Sequence, residues 1–333
     1  MDLKKSTYKR KKNMNFENCE LYKIKRKQDL YAILHIDENK INDELYKYKV
    51  CIKDGKRLLE KPSEELKKLQ RGILYKLYQL DFPEYVFSGI KGRYSLENAL
   101  YHVNCKYMLK LDMSKFFPNT HRNKVYEFFK YKLKMYSDVA SICTDIVTVN
   151  YNRETVVIED GVNEFLKSKN IKNINHLPTG TPTSQILSYL ANIDMFEEII
   201  EYTNIHNLKC TIYVDDITIS SDKREISKKE ESEIKAIIQK NKHRLSNGKT
   251  IRYGIAEYKK VTGFVISPNN KLVIPNKIKS KIKNQARFIR KKEIDIHNRN
   301  NIIGLTNFAD MSVKGKYIGL RKTVDNLKII KNV

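Results

Sequence analysis

Apolar positions recur with a helical period through SEELKKLQRGILYKLYQL, where Leu66, Leu69, Ile73, Leu77 and Leu80 share one face. Ser63 stands ahead of that run as a cap, with Glu64 and Glu65 in the first turn. Upstream, KYKVCIKDGKRLLEKP (47–62) sets apolar residues on either side of Asp54-Gly55, a β-hairpin signal. LYKIKRKQDLYAIL (21–34) reads as an extended lead into a short helix. KYMLKLDMSKFFPN (106–119) reads as a strand closed by the Pro118-Asn119 turn, with a helix in RNKVYEFFKYKL after it. Residues 149–176 are polar and irregular and read as an insertion holding one hairpin and one short helix. TSQILSYLANIDMFEEIIEYT (183–203) predicts one long amphipathic helix. KCTIYVDDITISS (209–221) predicts two short β-branched strands folded about Asp215 and Asp216. A helix over about 225–245 follows, then strands near 251–256 and 260–267. The tail from Lys271 shows helical patterns broken at Gly304 and Gly315. Strands cluster in the middle of the chain without regular βαβ alternation, so the expected class is α+β.

Charge changes the picture more than length does. Across 333 residues, 64 Lys and Arg stand against 39 acids, a net +25. Such an excess points to a polyanionic partner. The basic residues are spread over many segments, which favours nucleic acid over a membrane surface. No apolar run approaches the ~20 residues of a membrane span, and residues 1–13 form a basic arm without the apolar stretch of a signal peptide. Five scattered cysteines without paired spacing argue against a zinc module or a disulfide framework and for a reducing bacterial cytoplasm.

Two adjacent aspartates inside an apolar run demand compensation, because a buried carboxylate is costly without a positive partner. Asp112 closes one predicted strand, and Asp215 and Asp216 sit at the turn of a hairpin. An antiparallel sheet can bring those ends together, and like charges that close persist only with cations between them. Hard divalent ions such as Mg²⁺ take oxygen ligands, and a pair of them about 4 Å apart can activate an attacking oxygen and stabilise a leaving one. Ordinary turn chemistry also places Asp in hairpins, so the pair alone does not decide.

Further segments in register decide it. YVDD (213–216) resembles the catalytic motif of reverse transcriptases, and LKLDMSKFFPN (109–119) their first aspartate motif. LPTGTPTSQILS (177–188) resembles the family's LPxGxPxS segment, and KDGKRLLEKPSEELKKLQRGI (53–73) its fingers motif. NGKT (247–250) and VTGFVIS (261–267) are similar to the distal-lysine motif and the primer grip. The resemblance implies a right-hand polymerase fold: a basic arm and helix (1–45), fingers (46–105), a palm with an antiparallel sheet (106–270, with the insertion 149–176) and a basic helical thumb (271–333).

Roles follow from the same resemblance. Asp112 and Asp215 would ligate two Mg²⁺ ions, the Met113 carbonyl would complete one shell, and Asp216 would play a lesser or indirect metal role. Arg57 would clamp the triphosphate of the incoming dNTP, a task suited to a planar fork. Lys115, Phe116 and Phe117 lie where family backbone amides hold the triphosphate. Phe117 matches the steric gate that excludes a 2′-hydroxyl. Gly180 lets the chain approach the nucleotide closely. Thr179 and Gln185 depart from the usual Gln and Pro. Lys249 matches a lysine that can protonate the leaving pyrophosphate.

NALYH (Asn98 to His102) resembles the NAxxH segment of bacterial retron reverse transcriptases, and VTG (Val261, Thr262, Gly263) their second signature. That resemblance implies a structured noncoding RNA as template and primer, a DNA copy of it, and anti-phage defence with an accessory effector. It would place Asn98, His102 and the VTG segment near the RNA. Lys277, Lys279, Lys281, Lys283, Arg287 and Arg290 would track the template–primer backbone. The alternatives are a defence-associated reverse transcriptase outside the retrons, a group II intron enzyme, and a catalytically silent RNA-binding protein of the same fold. Oligomeric state is not legible.

Overall fold

The computed structural model describes residues 14–289 and 293–330. The basic arm 1–13 and Arg290 therefore lie outside the described residues. The fold is α+β, and its centre is a four-stranded antiparallel sheet in the order Lys209–Tyr213, Asp216–Ser221, Tyr107–Asp112, Ile251–Tyr253.

Alternation along these strands sorts residues onto two faces. Leu109, Leu111, Cys210, Ile212, Ile217 and Ile219 point into the main core and are essentially inaccessible. On the other face the register sets Asp112 opposite Asp216, Lys110 opposite Thr218 opposite Thr211, and Met108 opposite Ser220. One end of that face carries the carboxylates. The other end is covered by the helix Ser95–Tyr101 and the strand pair Lys259–Val261 and Phe264–Ile266. These form a second small core from Ala99, Met108, Val261, Phe264 and Ile266.

A second sheet carries the expected hairpin, Tyr48–Lys53 against Arg57–Pro62, with Asp54 and Gly55 at positive φ in its turn. The helix Glu64–Leu77 follows, and Ser63 Oγ accepts the Leu66 N–H as the cap. The polar segment 149–176 is stitched in at both ends. Val149–Asn150 pairs with Asn175–His176, and Val156–Ile158 adds a parallel strand to Tyr48–Val50.

Several elements differ from expectation, among them a parallel strand pair, Glu293–Asp295 with Lys328–Ile330, in a tail read as helical. The predicted helix over 183–203 is two helices, Ser184–Leu190 and Ile193–Ile205. They part at Asn192, whose φ is −118°, and its amide nitrogen donates to Ser188 O and Thr120 Oγ1. The predicted strand over 260–267 is a tight hairpin, with Val261 paired to Phe264 and both Thr262 and Gly263 at positive φ. That is the requirement of a two-residue type I′ turn. The helix Ile296–Ser312 runs through Gly304 without a break, since a single helical glycine costs only ~1 kcal/mol. At Gly315, φ is 78° and the chain does break.

Candidate active site

The turn between Tyr213 and Asp216 has two residues, Val214 and Asp215. Val214 holds φ 57°, an unfavourable setting for a β-branched residue that persists only where the surroundings enforce it. Those surroundings are specific. Val214 N–H donates to Ser88 Oγ at 2.8 Å, Met113 N–H to the Asp215 carbonyl at 2.9 Å, and Phe87 N–H to Ile212 O at 3.0 Å. Gly89 is required next to Ser88, because a Cβ there would lie 2.8 Å from the Ile186 backbone nitrogen.

The loop after Asp112 is held from the other side. Ser246 N–H donates to Asp112 O and Ser114 N–H to Arg244 O, each at 2.7 Å. Asp112 and Asp215 are thereby brought to one corner from chain positions a hundred residues apart. The Met113 carbonyl at that corner accepts no hydrogen bond among the described residues.

Burial pushes the Asp215 carboxyl up to about 6, and the negative charges of Asp112 and Asp216 add to the shift. Each carboxylate beside it has a cation of its own. Lys249 Nζ lies 3.0 and 3.2 Å from the two Asp112 oxygens. Lys110 Nζ lies 3.4 Å from Asp216 Oδ2, with both side chains largely covered. No three acidic, histidine or cysteine side chains converge into a metal cluster among the described residues. Asp112 and Asp215 share the corner, and Asp216, opposite Asp112 in the strand register, lies against Lys110.

The residues expected at the nucleotide are placed as follows. Phe116 is buried, packed edge-on to Phe196 and against His243, whereas Phe117 is half-exposed. Lys115 adopts the left-handed conformation and donates from Nζ to Asn170 O. Arg57 is exposed at the start of its strand. Gly180 has φ 106°, and a Cβ there would strike Leu59 Cδ1 at 2.6 Å.

Thr179 is held by a residue that motif reading passed over, Glu60. Its Oε2 accepts the Thr179 N–H at 2.6 Å, its Oε1 accepts the Tyr151 hydroxyl at 2.6 Å, and its own N–H donates to Thr179 O. His176 Nε2 lies 3.5 Å from Oε1, and both side chains are fully buried. A charge at an inward position of RLLEKP was the available signal. Lys110 was signalled too, two residues before Asp112 and hence on the same strand face.

Asn98 and His102 do not present their side chains to solvent; both are essentially inaccessible. The two His102 ring nitrogens lie 2.6 Å from Ser220 Oγ and 2.8 Å from Thr211 Oγ1. Burial first, then Lys209 and Lys110, lower its pKa to about 3. Both residues, expected near RNA, have their side chains turned inward: the helix Ser95–Tyr101 covers the far end of the face that carries the carboxylates. Thr262 Oγ1 donates to Ser95 O at 2.8 Å, so the NAxxH and VTG segments are docked on each other, with Val261 buried and Gly263 in the turn. Lys277, Lys281 and Arg287 are exposed on or just after the helix Asn276–Ala286, which buries Ile282.

With this geometry in hand, comparison with known proteins is decisive. The family described as reverse transcriptase (RNA-dependent DNA polymerase) matches residues 42–289. The chain belongs to that family. Retron Se72 reverse transcriptase of Salmonella heidelberg is 28% identical over 57% of this chain and 44% of its own. Retron Ec83 reverse transcriptase of Escherichia coli is 24% identical over 77% and 78%. Retron Ec86 reverse transcriptase of Escherichia coli is 28% identical over 63% and 58%. The matches thus span from under half to about four fifths of these relatives. Among solved structures, the foamy viral protease–reverse transcriptase in complex with double-stranded DNA aligns over 78% of this chain and 35% of its own, at 19% identity and TM-score 0.42. No helix among the described residues is long and apolar enough to cross a membrane.

Proposed function

We propose that this chain lengthens a DNA strand opposite an RNA template, at the corner where Asp112 meets Asp215. The observation that carries the reading is the bond from Met113 N–H to the Asp215 carbonyl. It sets the loop after one carboxylate against the turn bearing the other. The donor set there is all oxygen: two carboxylates and the unengaged Met113 carbonyl. That set fits Mg²⁺, and the raised Asp215 carboxyl is one that a cation would relieve. Bound divalent ions would supply activation of the attacking hydroxyl and stabilisation of the leaving oxygen.

The chain's own groups do the rest. Asp216 is balanced by Lys110 and supports the turn. Lys249 is exposed, free to move off Asp112, and carries a proton close to where a diphosphate would leave. Glu60 fixes the Thr179–Gly180 backbone beside the nucleotide, and Arg57 and the chain at Lys115–Phe117 face the triphosphate. Phe117 closes the space a 2′-hydroxyl would need. We divide the chain into fingers (46–105), palm (106–270) and thumb (271–333), with Lys277, Lys281 and Arg287 on the template–primer backbone.

The retron relatives support a finer reading. The template and primer would be a cognate structured noncoding RNA, and the product its DNA copy. The setting would be the bacterial cytoplasm, in anti-phage defence with an accessory effector. Purified protein given primed RNA, Mg²⁺ and dNTPs should extend the primer and stop on adding EDTA. Absence of incorporation with every divalent metal tried would overturn the reading. Phe117→Ala should lower the preference for deoxynucleotides over ribonucleotides on the order of 10²-fold, read from the two kcat/KM values. An unchanged ratio would remove Phe117 from the sugar site.

A further inference from the structure

Asn192, at the break between the helices Ser184–Leu190 and Ile193–Ile205, is 3% exposed, and its side-chain amide makes four hydrogen bonds among the described residues. Two of its partners can act in one sense only, and they fix the orientation of the amide. Oδ1 accepts Lys124 Nζ at 2.8 Å, and an ammonium only donates; Nδ2 donates to Ser188 O at 2.9 Å, and a carbonyl only accepts. The other two bonds follow. His243 Nε2, 2.7 Å from Oδ1, is the donor, and Thr120 Oγ1, 3.2 Å from Nδ2, is the acceptor. Both lone pairs and both protons of the amide are thus engaged, with groups from four separate parts of the chain.

Two routes run from this amide to the short helix Phe116–Asn119, which carries Phe117. The first is a relay of hydrogen bonds. The Thr120 hydroxyl accepts from Asn192 and donates its own proton to Phe116 O at 2.9 Å. Thr120 N–H is shared between Phe116 O and Phe117 O, at 3.0 and 2.9 Å. The second route is packing. The His243 ring lies on Phe116 with centroids 5.1 Å apart, and Phe196, one turn beyond Asn192, meets the same ring at 6.1 Å. A helix of four residues cannot hold itself, so its geometry comes from these contacts. His243 also opens the segment that holds the Asp112 loop. Ser114 N–H donates to Arg244 O, Ser246 N–H donates to Asp112 O, and Leu245 bridges to Met113. One buried side chain therefore ties the turn bearing Phe117 and the loop bearing Asp112 to a common point.

We propose that Asn192 and Thr120 are positioning residues for sugar selection, holding the Phe116–Asn119 turn at a set distance from the Asp112 loop without touching the nucleotide. This rests on the reading of Phe117 as the residue that excludes a 2′-hydroxyl, and it names what keeps that exclusion rigid. A steric gate discriminates only as far as its support does not yield, and about 1 Å of slack in a supporting shell is enough to blunt it.

The test uses three variants. Thr120→Val keeps the branched shape and removes the hydroxyl. Asn192→Asp keeps an acceptor for Lys124 and His243 and removes the donor to Thr120, so the two break one bond from its two ends. Thr120→Ser keeps the hydroxyl. Each is given primed RNA, Mg²⁺ and either dNTP or rNTP, kcat and KM are measured for both sugars, and melting temperature is read alongside. Phe117→Ala is run in parallel. In Thr120→Val and Asn192→Asp the ratio of kcat/KM for dNTP over rNTP should fall on the order of tenfold, in part because rNTP use rises. Thr120→Ser should keep the wild-type ratio. A role confined to stability would lower both sugars together and leave the ratio where it was, and that result would overturn the inference. A fall in Thr120→Ser equal to that in Thr120→Val would overturn it too. If Phe117→Ala lowers the ratio and Thr120→Val does not, the gate stands and the positioning role is lost. If Thr120→Val lowers the ratio and Phe117→Ala does not, another group on the turn reads the sugar and the positioning role stands.

Discussion

Replacing Asp215 with asparagine should cut deoxynucleotide incorporation on a primed RNA by on the order of 10³-fold or more. Charge stabilisation by a metal at the reacting oxygens is worth several kcal/mol, and each 1.36 kcal/mol is a factor of ten in rate. RNA affinity should persist or rise, because the substitution removes a negative charge that would face phosphate. Surviving incorporation would mean that Asp215 is no part of the catalytic site.

The same variant has an effect on folding whose sign is fixed by its environment. Burial and the neighbouring carboxylates raise the Asp215 carboxyl to about 6, above the ~4 of an unfolded aspartate. The folded state therefore holds this proton more tightly than the unfolded state. Its contribution to stability is fully present below pH 4, falls as pH rises through about 6, and is absent above that. In metal-free protein Asp215→Asn should thus be the more stable form at pH 8, by on the order of 2 kcal/mol, and should lose that advantage near pH 4. Thermal unfolding at the two pH values reads it directly.

Glu60→Ala should be the most damaging single change away from the carboxylates. It strips the acceptor from the Thr179 N–H and the Tyr151 hydroxyl, both held at 2.6 Å, and leaves His176 without its facing charge. Burial and the Glu60 charge drive the Tyr151 phenol far up, so it remains a donor in need of an acceptor. Breaking a buried charged contact of this kind costs about 3 kcal/mol, a fall in Tm of about 4 °C for a chain of this size. Because Thr179 and Gly180 lose their anchor, KM for dNTP should rise more than kcat falls. Glu60→Gln keeps an oxygen for one of the two donors and should lie between. Equal melting temperatures for all three proteins would show that the network carries no load.

What the sequence could disclose was set by the range of the interactions involved. The hairpin at Asp54-Gly55 and the Ser63 cap depend on neighbours within a few positions, and pattern alone located them; the turn expected at Asp215-Asp216 lies one residue earlier, at Val214-Asp215, with Asp216 already in the strand. The split of helix 183–203 at Asn192 depends on Thr120, far away in sequence, and helical periodicity continues straight through it. VTG was legible as a signature, but its turn was hidden inside an apolar run that also reads as a strand. The aspartates were legible because their spacing is shared with a family. Glu60, Lys110 and Ser88 were passed over because each acts on a partner brought close only by the fold. Asn98 and His102 show the opposite failure. A recognisable signature suggested a place near RNA, and the folded chain turns both side chains inward under the helix Ser95–Tyr101.

Asp112 and Asp215 are proposed to hold together the divalent metal at which DNA is extended. The most direct measurement of this is an anomalous difference map of crystals soaked in Mn²⁺, taken on protein that extends a primer with that metal. Density is expected bonded to both carboxylates, with Lys249 displaced from Asp112. Active protein with manganese elsewhere, and Lys249 still on Asp112, would contradict it.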